Sequence, residues 1–212
     1  MKRIPAPSRA RPALTRERIA ATALALIDEA GLDGLSMRVL GNRLGVEAMA
    51  LYHHFPDKHQ LLDAVGDALV AQWELPARGT RPPLARLRHL VRSGRASALR
   101  HPQAFALVTS RRLNTPRSME MLERVLEAFA DLGLEPGESA RWLSLMGAFA
   151  SGHAMAEVAP GSPGGQPDAL PGPYWQAAAP HLQPDQLDAV FESGLEVLFD
   201  ALAARLIGPP TR

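Results

Sequence analysis

Residues 35–58 read LSMRVLGNRLGVEAMALYHHFPDK, and this stretch predicts two short helices joined by a tight turn. Ser36 is a candidate N-cap for the first helix, because its hydroxyl can accept from a backbone N–H two or three residues on. Gly45 follows this helix, where a helix end favours a left-handed residue. A second helix over residues 47–54 would then lie outside, where it can enter a DNA major groove. The apolar face of the first helix is predicted from Val39, Leu40 and Leu44.

Helical periodicity continues on both sides of this motif. Thr15 can cap a first helix that ends at Gly31, and Asp57 can cap a helix over residues 58–74. Amphipathic patterns then predict helices over residues 84–101, 104–110, 116–132, 138–158 and 184–206. The proline- and glycine-rich residues 159–173 predict a loop. Because no strand-like alternation occurs, the predicted fold is all-α, with nine or ten helices.

Composition excludes several classes of function. The 212 residues include no cysteine, which excludes disulfides, thiol catalysis and cysteine-ligated zinc, and fits a reducing cytoplasm. No apolar run approaches the ~20 residues of a membrane span, so we expect a cytoplasmic protein without a membrane partner. The sequence has no HExxH, G-x-S-x-G, P-loop or Rossmann glycine pattern. We therefore predict that it is not an enzyme, and we predict no cofactor and no metal site.

The formal net charge is only +1, but positive charge is concentrated at the start of the chain. The basic residues there are Lys2, Arg3, Arg9, Arg11, Arg16 and Arg18. Beside a DNA-reading motif, such an arm suggests phosphate or minor-groove contact, although a disordered, solubilising tail has the same composition. The predicted organisation is a disordered basic arm over residues 1–14, a helix-turn-helix domain over 15–75, and a second helical domain over 76–212.

Several short segments at fixed offsets carry a family resemblance. They are GLSMR at 34–38, LGV at 44–46, LYHHF at 51–55, and DK at 57–58 with leucines at 61 and 62. Together they resemble the tetracycline-repressor (TetR) family of bacterial regulators. The resemblance implies an N-terminal three-helix helix-turn-helix DNA-binding domain and a C-terminal helical domain that binds ligand and dimerises.

Within that resemblance, Arg38 matches a position that touches a base or phosphate, and Tyr52 and His54 match backbone-contacting positions. Lys58 matches a phosphate anchor at the start of a helix. The positive end of the helix dipole there adds to the attraction of the Lys58 ammonium for a phosphate group. The positions that usually read bases hold only apolar side chains, so direct readout would rest on thymine methyl groups, His53 and Arg38, with a larger share of shape readout. Met49 alternatively packs against its own domain. The predicted DNA-binding residues are Ser36, Met37, Arg38, Ala48, Met49, Ala50, Tyr52, His53, His54 and Lys58.

A weaker resemblance covers the second domain, through RHP at 100–102, GAFASG at 147–152 and FESGLE at 191–196. It is similar to the ligand domain of tetracycline repressors, in which the last two long helices form a four-helix bundle across a dimer axis. We therefore expect a homodimer through the helices over 138–158 and 184–206. The small residues at 147–152 allow close helix approach, either across that axis or within one subunit.

The same resemblance implies a pocket for a small-molecule effector in the second domain. The candidate lining residues, each of which also fits a plain core, are Trp73, Leu90, Phe105, Val108, Thr109, Met121, Val125, Trp142, Met146, Phe149 and His153. A metal–tetracycline site would require a histidine where residues 105–110 read FALVTS. We therefore expect an apolar or amphipathic effector rather than tetracycline with magnesium.

The predicted function is a transcriptional repressor that is released from a palindromic DNA operator by this effector. Release would occur by a population shift transmitted through the helix that begins near Lys58. The alternative is a DNA-binding protein that acts without a ligand.

Overall fold

The computed structural model describes residues 13–110, 115–158, 172–178, 181 and 184–207. Most of the predicted basic arm and of the predicted loop over 159–173 lies outside these residues. Within them, every regular element is helical, which confirms the all-α prediction. None of these helices is both long and apolar enough to cross a bilayer.

The described part of the chain contains ten α-helices and two 3₁₀ turns, Leu32–Gly34 and Pro184–Gln186. The helices are α1 (Arg16–Ala30), α2 (Met37–Leu44), α3 (Ala48–Tyr52), α4 (Lys58–Val70), α5 (Pro83–Arg100), α6 (Pro102–Ser110), α7 (Pro116–Ala130), α8 (Pro136–Val158), α9 (Pro173–Ala178) and α10 (Leu187–Ile207).

The chain divides into two compact units, and the division falls between Val65 and Gly66, inside α4. The predicted domain boundary between residues 75 and 76 stays a prediction. In the first unit, α1 packs against α2, and α2 packs against α3. The largest buried side chains of this unit are Ile19, Ile27, Leu35, Leu40, Leu51, Phe55 and Leu61.

The helix ends of the first unit follow the predicted capping residues. The Thr15 hydroxyl accepts from the Arg18 N–H at 3.2 Å, and the Ser36 hydroxyl accepts from the Val39 N–H at 3.2 Å. Gly45 ends α2 in the left-handed region, with φ 70°. Each cap satisfies backbone groups that a helix end leaves unpaired, so these residues set where α1 and α2 begin and end.

Two predicted features of α2 and α3 are wrong. Val39 was expected to face inward, but it is 37% exposed, and Met37 is buried instead. Met37, Leu40 and Leu44 recur every three or four residues on one face, and Val39 lies off that face. The helix over 47–54 is shorter than predicted, because the N–H groups of both His54 and Phe55 bind the carbonyl of Leu51 and close it.

The helix over 58–74 is also shorter than predicted, since α4 ends at Val70. The Gln72 and Trp73 N–H groups bind the carbonyls of Leu69 and Val70, three residues back, in place of the α-helical four. This tighter turn releases Trp73 from the helix and places it in the core of the second unit.

In the second unit, α5 packs against α7, α8 and α10. The shared core draws on all four helices, and its buried members include Leu87, Leu90, Val91, Val125, Phe129, Met146, Phe191, Leu195, Phe199 and Leu202. α5 thus supports both the interior of the unit and the last helix of the described chain.

An ion-pair ladder joins α5 to α10, and the sequence did not reveal it. Its arginines recur at i, i+4 and i+7 on α5, and its carboxylates recur every four residues on α10. Each pair closes at 2.5–2.6 Å: Arg88 with Glu196, Arg92 with Glu192, and Arg95 with Asp188. A direct hydrogen bond from the Arg92 guanidinium holds the pKa of Glu192 below its usual range. The guanidinium groups of Arg88 and Arg95 also lie over the Phe199 and Phe191 rings.

Candidate nucleic-acid interface and binding cavity

α3 presents one buried and one open face. Leu51 is fully buried and anchors the helix in the first unit, whereas Tyr52 and His53 are exposed. Met49 is 68% exposed, so the alternative that it packs against its own domain is wrong. Ala48 and Ala50 are half-buried beside it. The open face of α3 and its C-terminal end therefore present the side chains of Met49, Tyr52 and His53. The neighbouring side chains of Ala48 and Ala50 are small and do not cover them.

Positive charge lies at the start of the two helices that flank α3. Arg38, in the first turn of α2, is exposed and has no ion-pair partner among the described residues. Lys58, at the start of α4, is exposed, and its ammonium donates to the Leu35 carbonyl at 2.8 Å. Arg43 differs from both, because a bidentate contact at 2.5–3.0 Å pairs it with Glu29 and lowers the pKa of that carboxyl.

The structure gives Met37 and Arg16 roles that differ from those predicted. Met37 is only 8% exposed, so its side chain is part of the core and is not available to DNA. Arg16, which the sequence placed only within a basic run, donates to the His54 carbonyl and lies 4.1 Å from the centroid of the Phe55 ring. Arg16 thus fixes the end of α3 against α1, and no spacing in the sequence indicated this contact.

An apolar cavity of about 250 Å³ lies inside the second unit, among α5, α6, α7 and α8. Six of the predicted residues line it: Trp73, Leu90, Phe105, Met121, Val125 and Met146. Five of them lie on the inward stripe of their own helix, which is the periodicity that the sequence shows, whereas Trp73 enters the cavity wall from the turn after α4.

Three other predicted residues do not line this cavity. Trp142 and Phe149 pack against the core, and Phe149 stacks on Phe191 with ring centroids 5.6 Å apart. His153 meets the same Phe191 ring edge-on at 5.2 Å. Phe149 and His153 are four residues apart, so they share the α8 face that looks toward α10 and away from the cavity. The side chains of Val108 and Thr109 lie outside the described part of the structure.

The sequence missed eight lining residues. These are Val91, Gly94, Arg95, Leu122, Leu143, Gly147, Ala150 and Ser151. The small residues of α8 at 147–152 were predicted to allow close helix approach and were not considered for the cavity. Gly94 and Arg95 on α5 are not apolar side chains, so the hydrophobic periodicity did not mark them. The one usable signal was the spacing of residues 143, 146, 147 and 150, which lie on one face of α8.

Arg95 is the charged group in the cavity wall, and its charge is compensated. The Arg95 guanidinium binds Glu157 at 2.7 Å and Asp188 at 2.6 Å. The side chains of Arg95 and Glu157 are only 13% and 5% exposed, and the hydrogen bonds that Arg95 donates to Glu157 raise the pKa of Arg95. A buried charge that is already paired gives the cavity little net attraction for an ion.

Among the described residues, no three His, Asp or Glu side chains converge on a point that could hold a metal ion. Most residues that line the cavity are apolar, so it is suited to bind by shape and apolar contact, with few polar groups.

Comparison with known proteins agrees with this arrangement. Residues 19–65 match the family model "Bacterial regulatory proteins, tetR family", and residues 75–206 match "Tetracyclin repressor-like, C-terminal domain". The tetracycline repressor protein class A from transposon 1721 of Escherichia coli is 33% identical over 190 residues, covering 86% of this chain and 88% of that protein. The HTH-type transcriptional repressor DrrR1 of Streptomyces coeruleorubidus is 29% identical over 205 residues, covering 96% of this chain and 74% of that protein.

Among solved structures, the Streptomyces coelicolor TetR family protein ActR in complex with actinorhodin aligns with a TM-score of 0.74. The identity is 28%, and the alignment covers 92% of this chain and 99% of that one. The family resemblance of the two sequence halves is thereby confirmed. The chain belongs to the TetR family of DNA-binding transcriptional regulators and carries a tetracycline-repressor-like C-terminal domain.

Proposed function

We propose that this protein is a repressor that binds a two-fold symmetric operator as a homodimer and releases it when a small apolar or amphipathic effector enters the cavity. The open face of α3 carries the proposal. It combines exposed Tyr52, His53 and Met49 with a buried Leu51 anchor, as a helix that reads a groove requires.

We assign phosphate contacts to the groups at the edges of this face. Tyr52, His54 and the α2 N-terminus with Ser36 would donate to phosphate oxygens, while Arg38 and Lys58 would add charge. Met49, with Ala48 and Ala50 beside it, would contact thymine methyl groups. Since α3 offers few hydrogen-bond donors, base discrimination would depend on His53, Arg38 and DNA shape.

We assign dimerisation to α8 and α10, as the four-helix bundle of the resemblance implies. Exposed apolar side chains on these two helices support the assignment, because a monomer that left them open would expose an unusual amount of apolar surface. They are Leu145, Met155, Val190 and Val197. Ala148 and Gly152 are also exposed on α8 and would let a partner helix approach closely.

The cavity supports an effector with a large apolar body. The ActR complex holds actinorhodin, and this chain would likewise bind a ligand. Of the α6 residues whose side chains are described, Phe105 and Leu107 are buried and apolar, and none is a histidine. Magnesium-bound tetracycline is therefore not the effector that we propose.

Release would follow from contacts between the cavity elements and the end of α4. Within the second unit, Asp67 of α4 accepts a hydrogen bond from the Thr115 hydroxyl, and Gln72 contacts His101 at 2.9 Å. His101 caps α5 and Thr115 caps α7, and both of these helices line the cavity. A ligand that shifts α5 and α7 would bias the position of α4, which continues into the first unit. A ~100-fold preference for the released conformation is worth about 2.7 kcal/mol.

The experiment is selection of bound duplexes from a random DNA pool by the full chain, followed by operator binding with and without candidate effectors. We expect one enriched site with two-fold symmetry, and an effector that weakens its binding. An enriched site whose affinity is unchanged by a cavity-bound compound would contradict release by effector.

The second candidate is a DNA-binding protein that acts without a ligand. A thermal-shift screen with apolar ring compounds separates the two, because a compound that binds the folded state raises the melting temperature in proportion to its concentration above Kd. A concentration-dependent rise supports the effector, and no rise with any compound favours the second candidate.

A further inference from the structure

A second, smaller cavity adjoins the apolar one and differs from it in chemistry. It measures about 140 Å³ and is lined by Val70, Ala71, Trp73, Arg117, Glu120, Met121 and Arg124. Trp73 and Met121 also line the apolar cavity, so these two side chains form a shared wall. Neither cavity reaches the roughly 300 Å³ at which pockets for drug-sized ligands begin, whereas the two together do.

The charges of the two cavities differ in how they are compensated. In the apolar cavity, Arg95 is paired with Glu157 and Asp188. In the smaller cavity, Arg117 has no ion-pair partner among the described residues, and Arg124 donates only to the Leu75 carbonyl, at 2.5 Å. Among the described residues that line this cavity, Glu120 is the one carboxylate. Two guanidinium groups and one carboxylate leave a net positive charge, which favours an anion over a cation.

We propose that the effector is an amphipathic anion. Its apolar ring body fills the larger cavity, and its carboxylate, sulfonate or phenolate oxygens lie in the smaller one against Arg117 and Arg124. This inference rests on the proposed function, in which the apolar cavity binds the effector, and it adds the charge of the ligand. Because Val70 and Ala71 also line the smaller cavity, the anionic group would lie directly at the end of α4.

The test compares two fluorescent dyes with nearly the same ring body in the full-length protein. 8-Anilinonaphthalene-1-sulfonate carries an anionic group, and N-phenyl-1-naphthylamine lacks it. Arg117→Gln removes the unpaired charge, while Glu120→Gln, one helical turn away, removes the opposing one. Arg124 is left unchanged because its bond to Leu75 supports the chain before α5.

We expect Arg117→Gln to raise the Kd of the sulfonate dye about three- to fivefold, as a partly exposed ion pair would, and to leave the neutral dye unchanged. Glu120→Gln should lower the Kd of the sulfonate dye only. Gly94→Leu, which fills the apolar cavity, should abolish the binding of both dyes.

The failures of the two proposals are distinguishable. If the neutral dye binds but Arg117→Gln leaves the sulfonate dye unchanged, the anion subsite is wrong and the apolar effector cavity stands. An equal loss of both dyes in Arg117→Gln gives Arg117 a structural role and also overturns the subsite. If neither dye binds the unaltered protein, or both still bind Gly94→Leu, the placement of the effector in this cavity fails as well.

Discussion

The carbonyl oxygen of Val46 lies 2.8 Å from the position that a Cβ atom on Gly41 would occupy. In the same contact, the Val46 N–H donates to the Gly41 carbonyl at 2.9 Å. The backbone that leads into α3 therefore touches the backbone of α2 with no side chain between them. The position of α3 therefore depends on the absence of a single methyl group at Gly41.

Gly41→Ala is expected to push α3 away from α2, because backbone atoms on both sides cannot yield as a flexible side chain would. Overpacking of this kind costs about 1–3 kcal/mol, part of which the better helix propensity of alanine offsets. We expect a lower melting temperature of the first unit and at least a tenfold loss of affinity for a selected operator, measured by fluorescence anisotropy. Asn42→Ala, at the next and exposed position, is the control and should keep operator affinity. Equal operator affinity of Gly41→Ala and the unaltered protein would contradict this contact.

Arg38 and Arg43 lie on the same helix and provide a matched pair for the phosphate contacts. Arg38 has no partner among the described residues, whereas Arg43 is paired with Glu29. Each phosphate contact contributes about −0.9 to the slope of log K against log salt. Arg38→Gln removes one contact per subunit, so in the proposed homodimer the slope should become shallower by about 1.8, whereas Arg43→Gln should leave it unchanged. If Arg43→Gln makes the slope shallower and Arg38→Gln does not, Arg43 contacts phosphate and the assignment of that contact to Arg38 is wrong.

The cavity can be filled from Gly94 without backbone strain. A Cβ on Gly94 would lie 3.9 Å from two atoms of the Trp73 ring, which is ordinary contact distance. Gly94→Leu should place its side chain in the cavity, abolish the effector response and keep operator affinity within about twofold. Gly94→Ala is the control, since it gains about 1 kcal/mol of helix propensity and leaves most of the cavity open. An effector response that survives Gly94→Leu at full strength would place the effector elsewhere.

The Arg92 and Arg95 rungs of the ion-pair ladder should differ in energy, because Arg95 also binds the buried Glu157 of α8. Arg95 and Glu157 are nearly buried, so Arg95→Met would strand a carboxylate and cost about 3–5 kcal/mol. Arg95→Met combined with Glu157→Met should recover most of that loss. Arg92→Met, whose pair is largely exposed, should cost less than about 1 kcal/mol.

Urea denaturation at one fixed protein concentration measures these costs, since a dimer's stability depends on concentration. Similar losses for Arg92→Met and Arg95→Met would show that burial does not set the strength of the rungs.

Local chemistry in the sequence predicted the fold well where a residue acts through its neighbours in the chain. The caps at Thr15 and Ser36 and the left-handed Gly45 are confirmed, because each acts over three or four residues. Helix ends that are set by tertiary contacts were harder to predict from the sequence. α4 was extended four residues too far, because nothing in residues 71–74 indicates the tighter turn that follows Val70.

The cavity shows the same division. Apolar lining residues such as Phe105 and Met146 follow from periodicity, but the choice between two faces of α8 depends on which helix packs on each side. Phe149 and His153 were therefore assigned to the wrong face. Arg95 could not be assigned at all, since its partners lie 62 and 93 residues away.

The central claim is that α3 reads DNA as one of a symmetric pair. It is tested most directly by selecting duplexes from a random pool with the full chain and measuring affinity for the enriched site at several salt concentrations, with Tyr52→Phe and Met49→Ala alongside. We expect a two-fold symmetric site, a steep negative salt dependence, uniform weakening by Tyr52→Phe, and relaxed preference for thymine in Met49→Ala. Enrichment of no site, or a salt slope near zero with both variants unchanged, would contradict it.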